Sequence, residues 1–407
     1  MANIITEHPS YVINAEFNIT QKNWDDPDHL AVSQINMASL FKTVSIDHDE
    51  TVDFEINTQY FDINTLFFTD PLQPNRTLNA ETFLNRRLFN DSLLIVHKGK
   101  VIHESYRNGM QPTDQHVIHS CTKSLCAMIA AMAMHENKLD PSHSVSHYIK
   151  AFSKIPAWDG VTVQHVLDMQ AGIAYSEDYT QADADYWSYA RAAGYYPPLK
   201  GESAIGAKAW AIQNLNRRSH TPGSTFVYNS TLTNVLGMVL ENIYDTPLAD
   251  IFQEKLYSKV GAETHALFNT DPQGFPITEG QFNCTLKDFA KLAYVILNKG
   301  KTLKGESILP ESFIQSIYAP NADAQNAYHQ AVKDSVFPTG QYKNKFWALE
   351  PEKKRFTMLG IHGQTAWFDL NQDLMVITQG SYPKQDGTLM MSSFKALWNG
   401  ISEHVQK

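Results

Sequence analysis

The tetrapeptide Ser120-Cys121-Thr122-Lys123 sets a hydroxyl and an amine three positions apart. Residues so spaced on a helix stand roughly 5–6 Å apart at Cβ, so the Lys123 amine can lean back and take the Ser120 proton. If Ser120 opens that helix, its backbone N–H is among those with no intrahelical acceptor and can face a developing oxyanion. Nucleophile, base and one oxyanion donor would then share a single turn, which is the equipment of acyl transfer through a serine ester.

Spacing alone does not select this site, because Ser39-Leu40-Phe41-Lys42, Ser381-Tyr382-Pro383-Lys384 and Ser392-Ser393-Phe394-Lys395 share it. Pro383 argues against a helix through the second of these. Ser39 and Ser392 fall in amphipathic stretches, where Ser and Lys at this interval read as a solvated face. Only Ser120 leads into a run that is apolar all round, Leu125 to Met134. That burial matters to Lys123: an amine with an ordinary pKa of about 10.4 must be desolvated, or set beside other cations, to act as a base near neutral pH.

The elements that must position this turn can be read around it. Leu93 to Val96 and Val101 to Tyr106 alternate about His97-Lys98-Gly99-Lys100 and predict a hairpin feeding the core just ahead of Ser120. Asn137 to Pro141 stops the Ser120 helix, and Thr162 to Gln170 has helical spacing with Gly172 as its stop. The aromatic and small-residue stretch Tyr186 to Pro198 suits a mobile loop over a pocket, or equally aromatics that simply pack a loop down. Tyr228 precedes a helix from about Thr231 to Ile243, and another helix runs from Cys284 to Leu297. Lys354 to Leu359, Thr365 to Leu370 and Leu374 to Gln379 read as strands, with a closing helix from Ser392 to Val405. Strands at both ends with helices between them give an α+β fold, an antiparallel sheet flanked by helices with a mostly helical insertion. The expected division is an N-terminal extension over 1–90 that wraps the body, an α/β domain from 91–135 and 265–407, and a mostly helical domain over 136–264.

With 43% hydrophobic and 19% charged residues, a net charge of −10 and no Lys/Arg cluster, the chain fits neither nucleic acid nor anionic membrane surfaces as partners. No apolar run reaches the roughly 18 residues of a membrane span. Met1 to Pro9 shows no export signal and the three cysteines cannot build a disulfide framework, so a cytoplasmic location is expected. Cys121, next to the proposed nucleophile, reads as a packing residue. His143 and His147 have metal-like spacing but no evident third ligand, and no metal or cofactor is expected.

Ser120-x-x-Lys123, Tyr228 at a helix mouth and a His-Gly element between C-terminal strands together resemble the serine β-lactamase and penicillin-binding-protein superfamily. Thr122-Lys123-Ser124-Leu125-Cys126, Val166-Leu167-Asp168-Met169-Gln170, Glu177-Asp178-Tyr179 and Gly360-Ile361-His362-Gly363-Gln364-x-x-Trp367 are similar to the 6-aminohexanoate-dimer hydrolase branch of it. The likeness runs from roughly Asp91 to Ile401 and implies a β-lactamase/transpeptidase-like fold. It implies Ser120 as acylated nucleophile, Lys123 as base and Tyr228 as proton relay to the leaving group. The oxyanion donors would be the N–H groups of Ser120 and Ile361. Tyr179 would lie on the loop closing over substrate and, like His362, would bind it; the related hydrolase implies a homodimer. Singly, each residue has an ordinary reading as cap, surface charge, core phenol or strand-end histidine, and it is the ordered set that favours a hydrolase of small amides or esters.

Two departures set the chain apart from true β-lactamases. Ser230 occupies the third position of Tyr228-Asn229-Ser230, where Asn is usual, and His362-Gly363-Gln364 replaces Lys-Thr-Gly. A fixed cation there holds the β-lactam carboxylate, whereas a histidine with ordinary pKa near 6.5 is mostly neutral at pH 7. A penicillin-recognising lactamase or peptidase, and an inactive binding protein on the same fold, are the rival readings. Glu279, in the segment Phe275 to Phe282 that would tune specificity, could meet a substrate cation, although an exposed loop carboxylate is the commoner case.

Overall fold

The computed structural model describes residues 18–56, 61–332 and 335–406, together with the backbone of the strands Ile4–Ile5 and Tyr11–Val12. Met1 to Pro9, read above for an export signal, therefore lies outside the described residues apart from Ile4–Ile5. Its larger sheet has eight strands: β1 (Glu55–Ile56), β2 (Asn90–His97), β3 (Lys100–Tyr106), β4 (Gln341–Lys343), β5 (Phe346–Glu350), β6 (Arg355–Gly360), β7 (Gln364–Asp369) and β8 (Leu374–Gly380). Their spatial order is β4-β5-β6-β7-β8-β2-β3-β1, antiparallel except at the β3/β1 edge. Early and late parts of the chain are thus stitched together where β8 pairs with β2, Met375 opposite Val96 and Ile377 opposite Leu94.

The period-2 alternation of strands sorts the side chains of this sheet onto two faces. Leu93, Ile95, Trp367 and Val376 turn one way, into a cluster with Phe394, Leu397 and Trp398. Leu94, Val96, Phe368 and Ile377 turn the other way, into the main core with Leu125, Met128 and Ile129. Four helices matter here: α1 (Cys121–His135), α2 (Thr231–Tyr244), α3 (Leu286–Leu297) and α4 (Thr388–Val405). In α1 every residue from Cys121 to Ala133 is buried, the environment an all-round apolar helix requires. On α4, Trp398 stacks on Trp367 with ring centroids 5.5 Å apart and planes 4° from parallel.

A second, five-stranded sheet runs Ile4–Ile5, Thr43–Ile46, Ala266–Asn269, Phe282–Cys284 and His116–Val117. It holds the approach to Ser120, since Val117 is paired with Asn283 three residues before the serine. The segment ahead of residue 90 contributes Thr43–Ile46 to this sheet and Glu55–Ile56 to the other.

Three local expectations change. The helix expected over Thr162 to Gln170 stops at Leu167, because Asp168 turns to bind Lys343 and the Asn344 N–H, and Met169 takes a left-handed φ of +55°. The stretch Tyr186 to Pro198, read as a loop, contains a helix over Asp185–Ala192 with Tyr186 and Tyr189 buried. Its hydroxyls supply the reason, as the site geometry below makes plain. The final helix starts one turn earlier than expected, at Thr388.

Candidate active site

Ser120 is the residue ahead of α1, yet its hydroxyl makes no capping bond to the helix. It instead accepts a hydrogen bond of 2.7 Å from the Lys123 ammonium one turn on. Just before it His119 is held at φ +43°, a left-handed backbone that is uncommon for a residue with a side chain. That turn is pressed between neighbours on both sides. A Cβ on Gly360, at the end of β6, would lie 2.7 Å from the Ile118 carbonyl oxygen, so only glycine lets the strand come this close. On the other side Trp24 stacks on the His119 ring at 6.3 Å.

Lys123 is 1% exposed and also donates to the Glu279 backbone carbonyl. Burial pushes its pKa below the ordinary 10.5, while the Glu279 and Glu177 carboxylates pull it back up. Tyr228 brings its ring to 5.2 Å from the Lys123 nitrogen, and it lines the same cleft as Ser120. Burial, then the charge of Glu177, raises the Tyr228 pKa well above 10, so the phenol stays protonated. Trp347 backs the Tyr228 ring in a stacked contact at 5.7 Å.

Glu177 ties the remaining parts together. It accepts the Ser230 N–H at 2.8 Å and the Ser230 hydroxyl at 2.5 Å, fixing the mouth of α2, and it accepts the Tyr179 hydroxyl at 2.8 Å. Tyr179 thus reaches the site through a carboxylate. Glu279, expected to be an exposed loop carboxylate, is 5% exposed. The hydroxyls of Tyr189, at 3.1 Å, and Tyr195 both donate to its Oε1, which is why the aromatic stretch is pinned down: a buried carboxylate needs donors and the tyrosines supply them. Its Oε2 lies 3.7 Å from the Lys123 nitrogen.

Ser120, Tyr179, Tyr228 and Ile361 all line one cleft of about 690 Å³. Its walls are mostly apolar, with Phe226, Tyr328, Val336, Phe337, Trp347 and Met390 among them, and Glu177, Asp178 and Asp386 are its acidic members. Among the described lining residues there is no lysine, arginine or histidine. His362 does not reach the cleft: it is 1% exposed, and its Nδ1 donates to the Tyr382 carbonyl at 2.7 Å. Burial brings its pKa down to about 4. Cys121 is buried against the Gln364 carbonyl, and burial pushes its thiol pKa well up, so it packs rather than reacts. The His143 and His147 rings approach to 4.6 Å, but no group of residues suited to a metal ion occurs among the described residues. Nor is any helix among them long and apolar enough to cross a membrane.

A family model described as Beta-lactamase matches residues 79–389. The chain belongs to the beta-lactamase family. It is similar to a curated 6-aminohexanoate-dimer hydrolase of Paenarthrobacter ureafaciens, 28% identical over 296 residues that cover 73% of this chain and 74% of that protein. A Bacillus anthracis protein provisionally named a 6-aminohexanoate-dimer hydrolase superposes with a TM-score of 0.83 at 21% identity, over 97% of this chain and 99% of its own. EstCE1, a hydrolase with promiscuous acyltransferase activity, superposes at 0.61 with 17% identity over 78% and 96%. The structural likenesses carry the β-lactamase/transpeptidase-like fold.

Within this beta-lactamase-family chain, both departures noted in the sequence have a physical counterpart. Ser230 spends its hydroxyl on Glu177, and the His362 element leaves the cleft without a cation among its described residues. Sequence reasoning missed the burial of Glu279 and the partnership of Glu177. It also missed the contact of Trp24 with the nucleophile's turn. Each depends on a partner 50 or more residues away, so no local pattern announces it.

Proposed function

We propose that the protein is a serine hydrolase that cleaves small amides or carboxylic esters through an acyl-Ser120 intermediate. The observation that carries the reading is the 2.7 Å bond between the Ser120 hydroxyl and a buried lysine whose pKa is depressed, at the floor of an apolar cleft. Ser120 Oγ attacks the carbonyl carbon while Lys123 takes its proton. The N–H groups of Ser120 and Ile361 receive the oxyanion. As the C–N or C–O bond breaks, the proton passes through the Tyr228 hydroxyl to the leaving group. Tyr179 meets the leaving side of the substrate from the loop above, and His362 holds the Ile361 turn from behind rather than touching substrate.

The 6-aminohexanoate-dimer hydrolase name of the Paenarthrobacter relative and the hydrolase activity of EstCE1 favour this substrate class. A cleft with acidic members and no cation among its described lining residues favours neutral or amine-bearing substrates over β-lactams, whose carboxylate seeks a cation. Ser120→Ala is expected to abolish p-nitrophenyl ester hydrolysis and labelling by a fluorophosphonate probe. Full labelling of that variant would overturn the assignment, and rapid nitrocefin turnover by the wild type would return the penicillin-recognising reading.

A further inference from the structure

Ser120, Tyr179 and Ile361 line not one space but two. The second is a cavity of about 20 Å³ bounded also by His119, Ser230, Tyr195 and Glu279. A polar cavity of that size holds one water molecule. The Glu279 carboxylate that borders it is asymmetrically used: Oε1 takes the Tyr189 and Tyr195 hydroxyls, whereas Oε2 faces the Lys123 nitrogen at 3.7 Å. In the acylation steps above this carboxylate only biases the Lys123 proton and exchanges none itself, although burying one is costly.

We propose that this small cavity delivers the hydrolytic water and that Glu279 is the base that activates it, a catalytic residue of deacylation rather than of acylation. The inference rests on the acyl-Ser120 reading. Glu279 takes one proton from the water as the water oxygen bonds to the acyl carbonyl carbon, and the N–H groups of Ser120 and Ile361 hold the oxyanion. When the intermediate collapses, the bond from that carbon to Ser120 Oγ breaks and the product acid leaves through the cleft. The proton returns from Glu279 through the Lys123 nitrogen to Oγ, spanning the 3.7 Å and 2.7 Å contacts already made.

The test uses the full chain with p-nitrophenyl butyrate. Glu279→Gln keeps an acceptor for the two tyrosines and should still release about one equivalent of p-nitrophenol in a burst, while its steady-state rate falls by about 10²–10⁴-fold, the usual worth of a general base. Intact mass should show the butyryl adduct, and hydroxylamine, a stronger nucleophile that needs no such base, should clear it. Glu279→Asp, which retains the carboxylate, should recover part of the steady-state rate. Burst and steady-state rates falling together, an unchanged steady-state rate, or no recovery in Glu279→Asp would overturn the role of Glu279. A burst that survives in Ser120→Ala would instead overturn the acyl-serine reading beneath it.

Discussion

Replacing His362 by Asn should change the acid sensitivity of the fold by an amount the structure fixes. In the folded protein His362 is buried, donates from Nδ1 to the Tyr382 carbonyl and has its pKa lowered from 6.5 to about 4. In the unfolded chain it recovers the ordinary value, so between these two pH values the unfolded state holds the extra proton. Stability then rises with pH across that window and is lost as pH falls through it. Each pKa unit is worth about 1.4 kcal/mol, so between pH 7 and pH 4.5 this one group removes about 2 kcal/mol, approaching roughly 3 kcal/mol once both states are protonated. Asn tolerates the left-handed backbone found here, φ +61°, and carries no titrating group. The loss of the ring lowers stability at every pH, so the slope is the readout. Urea unfolding monitored at pH 7, 5.5 and 4.5 should show the wild type losing about 2 kcal/mol more than His362→Asn across the range. His119, whose ring is 5.4 Å from His362, has its pKa lowered by burial and then by His362, so it contributes the same sign and the share it owes to His362 adds to the difference between the two proteins. Parallel pH profiles for the two proteins would refute the reasoning, and with it the account of His362 as a neutral support of the Ile361 turn.

Tyr228→Phe keeps the ring against Trp347 and removes only the phenolic hydroxyl. It should slow acylation by anilides about 10²–10⁴-fold and acylation by p-nitrophenyl esters far less, because an amine cannot leave without a proton; equal losses in single-turnover assays would remove Tyr228 from the relay. Acylation by wild type should rise with pH and level off above an apparent pKa lower than 10.5, since burial depresses Lys123 and only the neutral amine accepts the serine proton. Lys123→Arg, with a guanidinium that does not deprotonate, should fall by at least about 10²-fold and lose that limb of the pH profile; retention of the limb would assign it to another group.

Much of the fold was legible because its signals are local. Strand alternation in Leu93 to Val96 and Leu374 to Gln379, and the unbroken apolar run after Ser124, report the faces those elements bury without reference to any partner. The Asp185–Ala192 helix was hidden for the opposite reason. Its Tyr189 looks like a loop aromatic until Glu279, 90 residues on, is placed against it. Likewise Asp168 ends its helix early for the sake of Lys343, 175 residues on.

The sequence by itself determined the pairing of Ser120 with Lys123, because an interval of three residues on a helix fixes a distance whatever surrounds it. It also determined that this helix is buried, since no face of it can meet water. What only the tertiary structure decided is the electrical state of that pair and the space around it. Glu177, Glu279 and Tyr228 arrive from three separate segments to set the Lys123 proton, and the cleft and the small cavity exist only once those segments close over the serine. Charge and cavity depend on distances through space, and a linear chain carries those only after it has folded.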